Sequence, residues 1–311
     1  MKVVFMGTPD FAVGALEAII EAGHEVTAVV TQPDKAKGRS GQMQFPPVKE
    51  CAVKHGIHVF QPVKVRTQES VDELRKFEAD IFVVAAFGQI LTKEILDMPK
   101  YGCVNIHASL LPKYRGAAPI NWCIIDGEKE TGVTIQQMNE GVDTGDILSK
   151  KIVLIDKKET AETLFDKLAI AGAELIVDTL PRIEKGEIIP EKQDESLATH
   201  VKKMDKALGK VDWTKDAVVI ERLVRGLNSW PSAYTAYNGK SVKLWDCDVV
   251  DAECINNEEA GTIVNVTKDY FDIACGKGIL RVLELQLEGK KRMDTKSFLL
   301  GNQWKAGIKL G

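Results

Sequence analysis

In the run Cys103-Val104-Asn105-Ile106-His107, a strand is expected, and residues two apart on a strand project from the same face. Asn105 and His107 then point together. A carboxamide donates hydrogen bonds to a developing oxyanion and an imidazole moves a proton near neutral pH, so the pair suits attack on a carbonyl carbon. Asn-x-His is also ordinary hydrogen-bonded structure. Downstream, NEGVDTGDIL sets Asp143 between glycines, in a loop from which a carboxylate reaches the same cleft, raises an imidazole's proton affinity and fixes its orientation. An aspartate beside glycines is equally a plain turn residue. Between the two lies HASLLPKYRGAAP, with Pro112, Pro119 and the basic-aromatic Lys113-Tyr114-Arg115 followed by Gly116. It is either a shaped binding element beside a strand terminus or a solvated crossover.

The elements that must position these residues alternate along the chain. Lys2 to Met6 is a β-branched and aromatic run ending at Gly7, after which Thr8 is expected to cap a helix that accepts Pro9 and Asp10 in its first turn. Ala12, Leu16, Ile19 and Ile20 recur at helical spacing until Gly23, and HEVTAVVT reads as a second buried strand. DIFVVAAF, GCVNIH and GVTIQQM continue the alternation, so the fold class expected is α/β, a doubly wound, mostly parallel Rossmann-like sheet with its cleft at the strands' carboxyl ends. Leu164, Leu168, Ala171 and Leu175 mark an amphipathic helix running toward Gly186, followed by the polar stretch PEKQDESLATHVKKMDK, where a linker is placed. Ala217, Ile220, Leu223, Val224 and Leu227 form one more helical stripe. SAYTAY, the turn pair Asn238-Gly239, SVKLWDCDVV, GTIVNV, FDIAC and GILRVLELQL then read as the short strands of a small β-barrel.

The 311 residues suggest two domains. A formal charge of −4 argues against a broad nucleic-acid-coating surface, but the charge is uneven: Val201 to Gly311 carries 18 basic and 15 acidic side chains, against 23 and 30 before it. The six cysteines are scattered with no Cys-x-x-Cys, as expected of reduced cytosolic thiols. The N-terminal MKVVFMGTPDF is too brief an apolar run for a signal peptide or span, so no export, no membrane anchor and a cytoplasmic location are expected. Gly-Thr-Pro-Asp after the first strand lacks the Gly-x-Gly-x-x-Gly of a nicotinamide enzyme.

GCVNIHASLLPKYRGAAPINW, with DTGDIL downstream and MGTPDFA and TQPDKAKGR upstream, resembles the folate-dependent formyltransferase family, and within it the members that act on initiator methionyl-tRNA. The likeness covers most of the first 190 residues and is more diffuse afterwards, through KVDW, Trp230-Pro231 and GKKRM. It implies a folate-binding catalytic domain over 1–189, a linker over 190–205 and an OB-like tRNA-binding domain over 206–311. It also implies 10-formyltetrahydrofolate as formyl donor, no metal, and Asn105, His107 and Asp143 as the catalytic set. Ser109, Leu110, Leu111 and Pro112 would line the folate site, and the backbone of Phe87, Gly88, Gln89 and Ile90 would help hold the pterin. The five scattered histidines show no familiar zinc spacing.

The same family includes enzymes that formylate small amines, an amino sugar or a ribonucleotide, so the acceptor depends on the rest of the chain. TQPDKAKGRSGQMQFPPVK is a Gly- and Pro-containing loop with Lys35, Lys37, Arg39 and Lys49, suited to follow a phosphate backbone, and the resemblance places Arg39 against the acceptor end of tRNA. Lys202, Lys203, Lys206 and Lys210, then Lys290, Lys291 and Arg292, would continue a basic track; a run of lysines is also simply a wet face. Formylation of initiator methionyl-tRNA by a monomer is therefore expected, with a small-amine formyltransferase or a non-catalytic RNA-binding relative as alternatives.

Overall fold

The computed structural model describes residues 1–37, 42–255 and 257–311. Its contacts divide the chain into two units. The first comprises Met1–Pro119, Glu130–Leu154 and Phe165–Val201; the second comprises Ile120–Lys129, Ile155–Leu164 and Lys202–Gly311.

The first unit is built on a seven-stranded sheet of β1 (Lys2–Gly7), β2 (Glu25–Val30), β3 (Val59–Phe60), β4 (Ile81–Ala85), β5 (Cys103–His107), β6 (Glu130–Gln137) and β7 (Ile147–Leu154), in the order β7-β6-β5-β4-β1-β2-β3. The pairs from β3 to β5 are parallel. Those of β5 with β6 and β6 with β7 are antiparallel. The parallel strands are near-continuous apolar runs because helices cover both faces: Val3, Val4, Phe5 and Met6 are fully buried, and Val4, Met6, Val30, Phe82 and Val84 share one core. Helix α1 (Val13–Glu21) follows β1, but not from a Thr8 cap. Pro9 is extended, and a 3-10 turn at Asp10–Ala12 comes first. The Thr8 hydroxyl instead donates to Phe87 O (3.3 Å) and accepts from Gln32 N (3.4 Å), tying together loops that leave β1, β2 and β4.

The long helix Ala161–Glu184 buries Leu164, Leu168, Ala171 and Leu175 at the expected spacing. Among the described residues no helix is long and apolar enough to cross a membrane. The segment expected as a linker is laid against the first unit as far as Val201. Glu191 bridges to Ile147, and His200–Val201 pairs in parallel with Arg115–Gly116. Glu191, Thr199 and Val201 make backbone hydrogen bonds to the unit they follow, which a slack tether would leave to water.

In the second unit, β8 (Ala233–Tyr237), β9 (Lys240–Asp251), β10 (Ile263–Val266), β11 (Phe271–Ala274) and β12 (Ile279–Leu287) form an antiparallel sheet in the order β8-β9-β12-β11-β10, with Met293–Asp294 added beside β12. Asn238 and Gly239 both take positive φ, 49° and 73°, as a two-residue hairpin turn requires. The helix Ala217–Gly226 lays Ala217, Ile220 and Val224 on Val242, Leu244, Leu280 and Leu285.

None of the six cysteines is paired with another. Burial pushes the Cys51 thiol up to about 11 and Cys275 up to about 12, and it raises Cys103 and Cys247 as well. Thiolate is the reacting form, so these sulfurs are inert at neutral pH. In the native protein at pH 8, iodoacetamide is expected to modify half-buried Cys254 well before the rest, all six becoming equivalent in urea. Mass spectrometry of the labelled peptides checks this, and native labelling of Cys51 or Cys103 at the Cys254 rate contradicts the burial assignment.

Candidate active site

Strand β5 presents Asn105 and His107 on one face, and the antiparallel register sets Gln136 opposite Asn105 and Thr134 opposite His107. Four polar side chains therefore share a patch of an otherwise apolar sheet. Thr134 serves the loop that follows β5: its hydroxyl donates to Ser109 O (2.7 Å) and accepts from Leu111 N (3.1 Å). Ser109 Oγ closes the same turn on Lys113 O at 2.6 Å, and the Leu111–Pro112 peptide is cis. Of the four residues expected to line a folate site, Ser109 and Leu111 are buried, while Leu110 and Pro112 are half-buried.

Asp143 reaches this patch by an indirect route. Because β6 runs antiparallel to β5, Gln137 at its end lies beside Val104, at the start of β5, so the following loop must fold back to meet His107. Gly145 permits the close turn, since a Cβ there would stand 1.7 Å from Gln137 O. Asp143 itself takes φ +54°, in the left-handed region. Its Oδ2 accepts from Gly116 N (2.8 Å), its Oδ1 accepts from Gln136 Nε2 (2.8 Å), and Oδ1 also lies 3.5 Å from His107 Nδ1. The other ring nitrogen, Nε2, is 3.0 Å from Tyr114 O. A carbonyl oxygen only accepts, so Nε2 carries hydrogen and donates. Both nitrogens of His107 thus face protein acceptors, and the ring's present work is to hold its place beside Asp143; a donor role toward an oxyanion needs one of these contacts to open. Asn105 differs. It is half-buried, and among the described residues no hydrogen bond engages its carboxamide, whose N–H groups are therefore uncommitted.

A brace that the sequence did not reveal fixes the loop from outside. Gln193 Nε2 donates to Asp143 O (2.9 Å) and Gly145 O (2.7 Å). Gln193 Oε1 accepts from Arg115 Nε (3.0 Å) and Nη2 (2.8 Å). Arg115, 1% exposed, completes its fork on Glu195 at 2.9 and 2.7 Å. The guanidinium beside Glu195 holds that carboxyl below its usual range. Arg115, in the sequence one member of a basic-aromatic loop read as either a binding element or a solvated crossover, is a buried structural cation. Gln193 fell within the supposed linker and gave no signal, whereas two adjacent amides, Gln136 and Gln137, inside an apolar strand are unusual enough to have drawn notice.

The loop after β4 carries the expected pterin residues. Phe87 is buried, its carbonyl already bonded by Gln32 Nε2 (3.1 Å); Gln89 is tied to Val65 N and Pro62 O; Ile90 is 71% exposed. Gly88 has φ +80°. Of the residues expected to meet tRNA, Lys35 is exposed on the first unit, and Lys203, Lys206 and Lys210 are exposed on the second. Lys37 lies in a short strand, and Arg39 lies outside the described residues. Two cations of the expected basic track are engaged otherwise. Lys49 binds Asp34 (2.7 Å) and Gln61 (2.8 Å) and sits over Phe45, while Arg292 binds Glu284 and stacks on Trp245. Glu17, Cys51 and His55 bring possible metal-ligating atoms within 4.8 Å of one another, but they belong to α1, the helix Pro47–Lys54 and its C-cap, not to the strands of this site, and the Cys51 thiol is protonated.

The sequence pattern described as Formyl transferase matches residues 1–180, and the Formyl transferase C-terminal domain matches residues 203–303. The chain is 58% identical to a methionyl-tRNA formyltransferase of Lachnospira eligens over the whole of both chains. It is 59% identical to one of Agathobacter rectalis, covering 97% of this chain and 96% of that one. Among solved structures it resembles an N-formyltransferase from Helicobacter canadensis in complex with folinic acid and dTDP-3-aminofucose, with TM-score 0.68, 20% identity, and coverage of 94% of this chain and all of that one. At that identity the likeness is one of fold.

If Gln193 holds the catalytic loop, Gln193→Ala is expected to lower kcat about tenfold, since small misplacements of reacting groups are costly. KM for both substrates should stay within about twofold. Steady-state kinetics with a melting curve checks this; a raised KM at unchanged kcat would instead mark Gln193 as a binding residue.

Proposed function

The chain belongs to the formyl transferase family, and from that premise we propose how it acts as a formyltransferase on methionyl-tRNA. The observation that carries the acceptor is the identity of 58–59% with methionyl-tRNA formyltransferases, over alignments that cover 97–100% of the chain. The amino-sugar alternative has only a likeness of fold behind it.

The formyl donor is 10-formyltetrahydrofolate, which brings an activated one-carbon unit on N10. The residues present fit such a ligand: a carboxamide with no hydrogen-bond partner among the described residues, an acid–imidazole pair within 3.5 Å, and the exposed Gly88 and Ile90 in the loop at the carboxyl end of β4. Ser109 to Pro112 and Phe87 to Ile90 hold the folate. The methionyl α-amine, with a reference pKa of about 7.7–8.0, attacks the formyl carbon as the neutral base. Carbon–nitrogen bond formation puts negative charge on the formyl oxygen, and Asn105 donates an N–H to it. Asp143, with His107 beside it, takes the proton that the amine sheds, and N10 leaves with a proton in return. The products are formyl-methionyl-tRNA and tetrahydrofolate.

Lys35, Lys37 and Arg39 on the first unit and Lys203, Lys206 and Lys210 on the second bind the phosphates of the initiator tRNA, with the protein acting as a monomer. Phosphate contacts release counterions, so tRNA binding falls with salt.

Purified protein given 10-formyltetrahydrofolate and a panel of acceptors is expected to formylate charged initiator tRNA and to leave amino sugars and ribonucleotides untouched; the reverse preference rejects the assignment. Asn105→Ala should lower kcat by on the order of 10²-fold or more while leaving folding intact. Lys206→Glu should raise KM for tRNA, flatten its salt dependence, and spare KM for the folate.

A further inference from the structure

Gln136 is 2% exposed and lies directly opposite Asn105 across the β5–β6 ladder, so the two side chains leave the same face. Such facing positions have Cβ atoms about 4.5–5.5 Å apart, within the reach of two amides. The orientation of the Gln136 amide is not free. Its Nε2 meets Asp143 Oδ1 at 2.8 Å, and a carboxylate oxygen repels the alternative in which the amide oxygen faces it. Oε1 must therefore point away from Asp143, and there it is a buried acceptor with no hydrogen-bond partner. A buried acceptor left unmade is costly and uncommon. On the other side of the ladder stands a donor group equally without a hydrogen-bond partner among the described residues, the carboxamide of Asn105.

We propose that Gln136 is a positioning residue that links Asp143 to Asn105 when folate binds: its nitrogen is fixed on the carboxylate, and its oxygen, which accepts no hydrogen bond among the described residues, then takes one N–H of Asn105, so that the second N–H of Asn105 is aimed at the formyl oxygen. An Asn amide alone can present either its oxygen or its nitrogen to a ligand, and the wrong end repels an oxyanion. The carboxylate of Asp143 orders Gln136, and Gln136 orders Asn105, so the acid that serves the amine also sets the polarity of the oxyanion donor. The assignment rests on Asn105 being that donor.

Gln136→Met keeps the length and removes the amide. It is expected to lower kcat about tenfold, the rate equivalent of one modest hydrogen bond, with KM for folate and tRNA within about twofold. In an Asn105→Ala background the same substitution should cost less than about threefold, because the group it orients is gone. Two outcomes overturn the proposal: wild-type kcat for Gln136→Met, or its full cost persisting beside Asn105→Ala, which would mean it acts through Asp143 alone. Wild-type kcat for Asn105→Ala by itself would instead overturn the oxyanion assignment beneath it. The wild-type protein provides a reading that needs no variant: with 5-formyltetrahydrofolate bound, the Asn105 side-chain amide hydrogens should exchange more slowly by NMR than those of exposed asparagines, and exchange at the rate of a free amide counts against the link.

Discussion

A carboxylate beside an imidazole in a largely dry patch has to be held by donors on every side, and the fold of the first unit is organised around holding Asp143. The backbone N–H of Gly116 takes one oxygen and Gln136 the other, which also faces His107. Gly116 is suited to this because its φ of +100° and the 2.7 Å approach of Val201 O to its missing Cβ leave no room for a side chain. The two donors come from the loop after β5 and from β6, with the ring of His107 beside them, so the position of one acid depends on segments distant from each other in sequence.

The sheet explains why so much support is needed. A parallel strand delivers its last residue to the cleft directly, as β5 does with His107. An antiparallel neighbour delivers its last residue to the far end, and the acid that follows must travel back. The return is stabilised by Gly145 against Gln137, by two hydrogen bonds from Gln193, and by the buried guanidinium of Arg115 behind Gln193. Arg115 is acceptable in that place because its fork is filled by Gln193 and Glu195; a buried guanidinium without partners would be strongly destabilising.

The parts of this arrangement legible in the sequence were those with a local signature. Strand period placed Asn105 and His107 on one face, apolar runs marked β1, β2 and β4, and Asn238-Gly239 announced its hairpin. Thr8 misled because its hydroxyl competes between capping a helix and bridging loops, and only tertiary neighbours, Gln32 and Phe87, decide the outcome. Lys49 and Arg292 looked like members of a phosphate-binding set, and Arg115 like part of a basic-aromatic loop, because charge is visible in a sequence and its partner is not; Asp34, Glu284 and Glu195 lie 15, 8 and 80 residues away. Gln193 was hidden for the same reason, within a polar stretch whose composition matches that of a tether.

That stretch also alters what counts as the catalytic half. The residues from 181 to 201 lie beyond the N-terminal family match, yet they supply Gln193, Glu195 and the strand that pairs with Arg115–Gly116. Cutting the chain where the family pattern stops would release a fragment with an intact sheet and all three of Asn105, His107 and Asp143, but without the outer fastening of the acid. A piece that keeps every hydrogen bond on the loop of Asp143 and on Arg115–Gly116 extends to Val201, so the residues after the long helix belong with the first unit and are not a mere spacer.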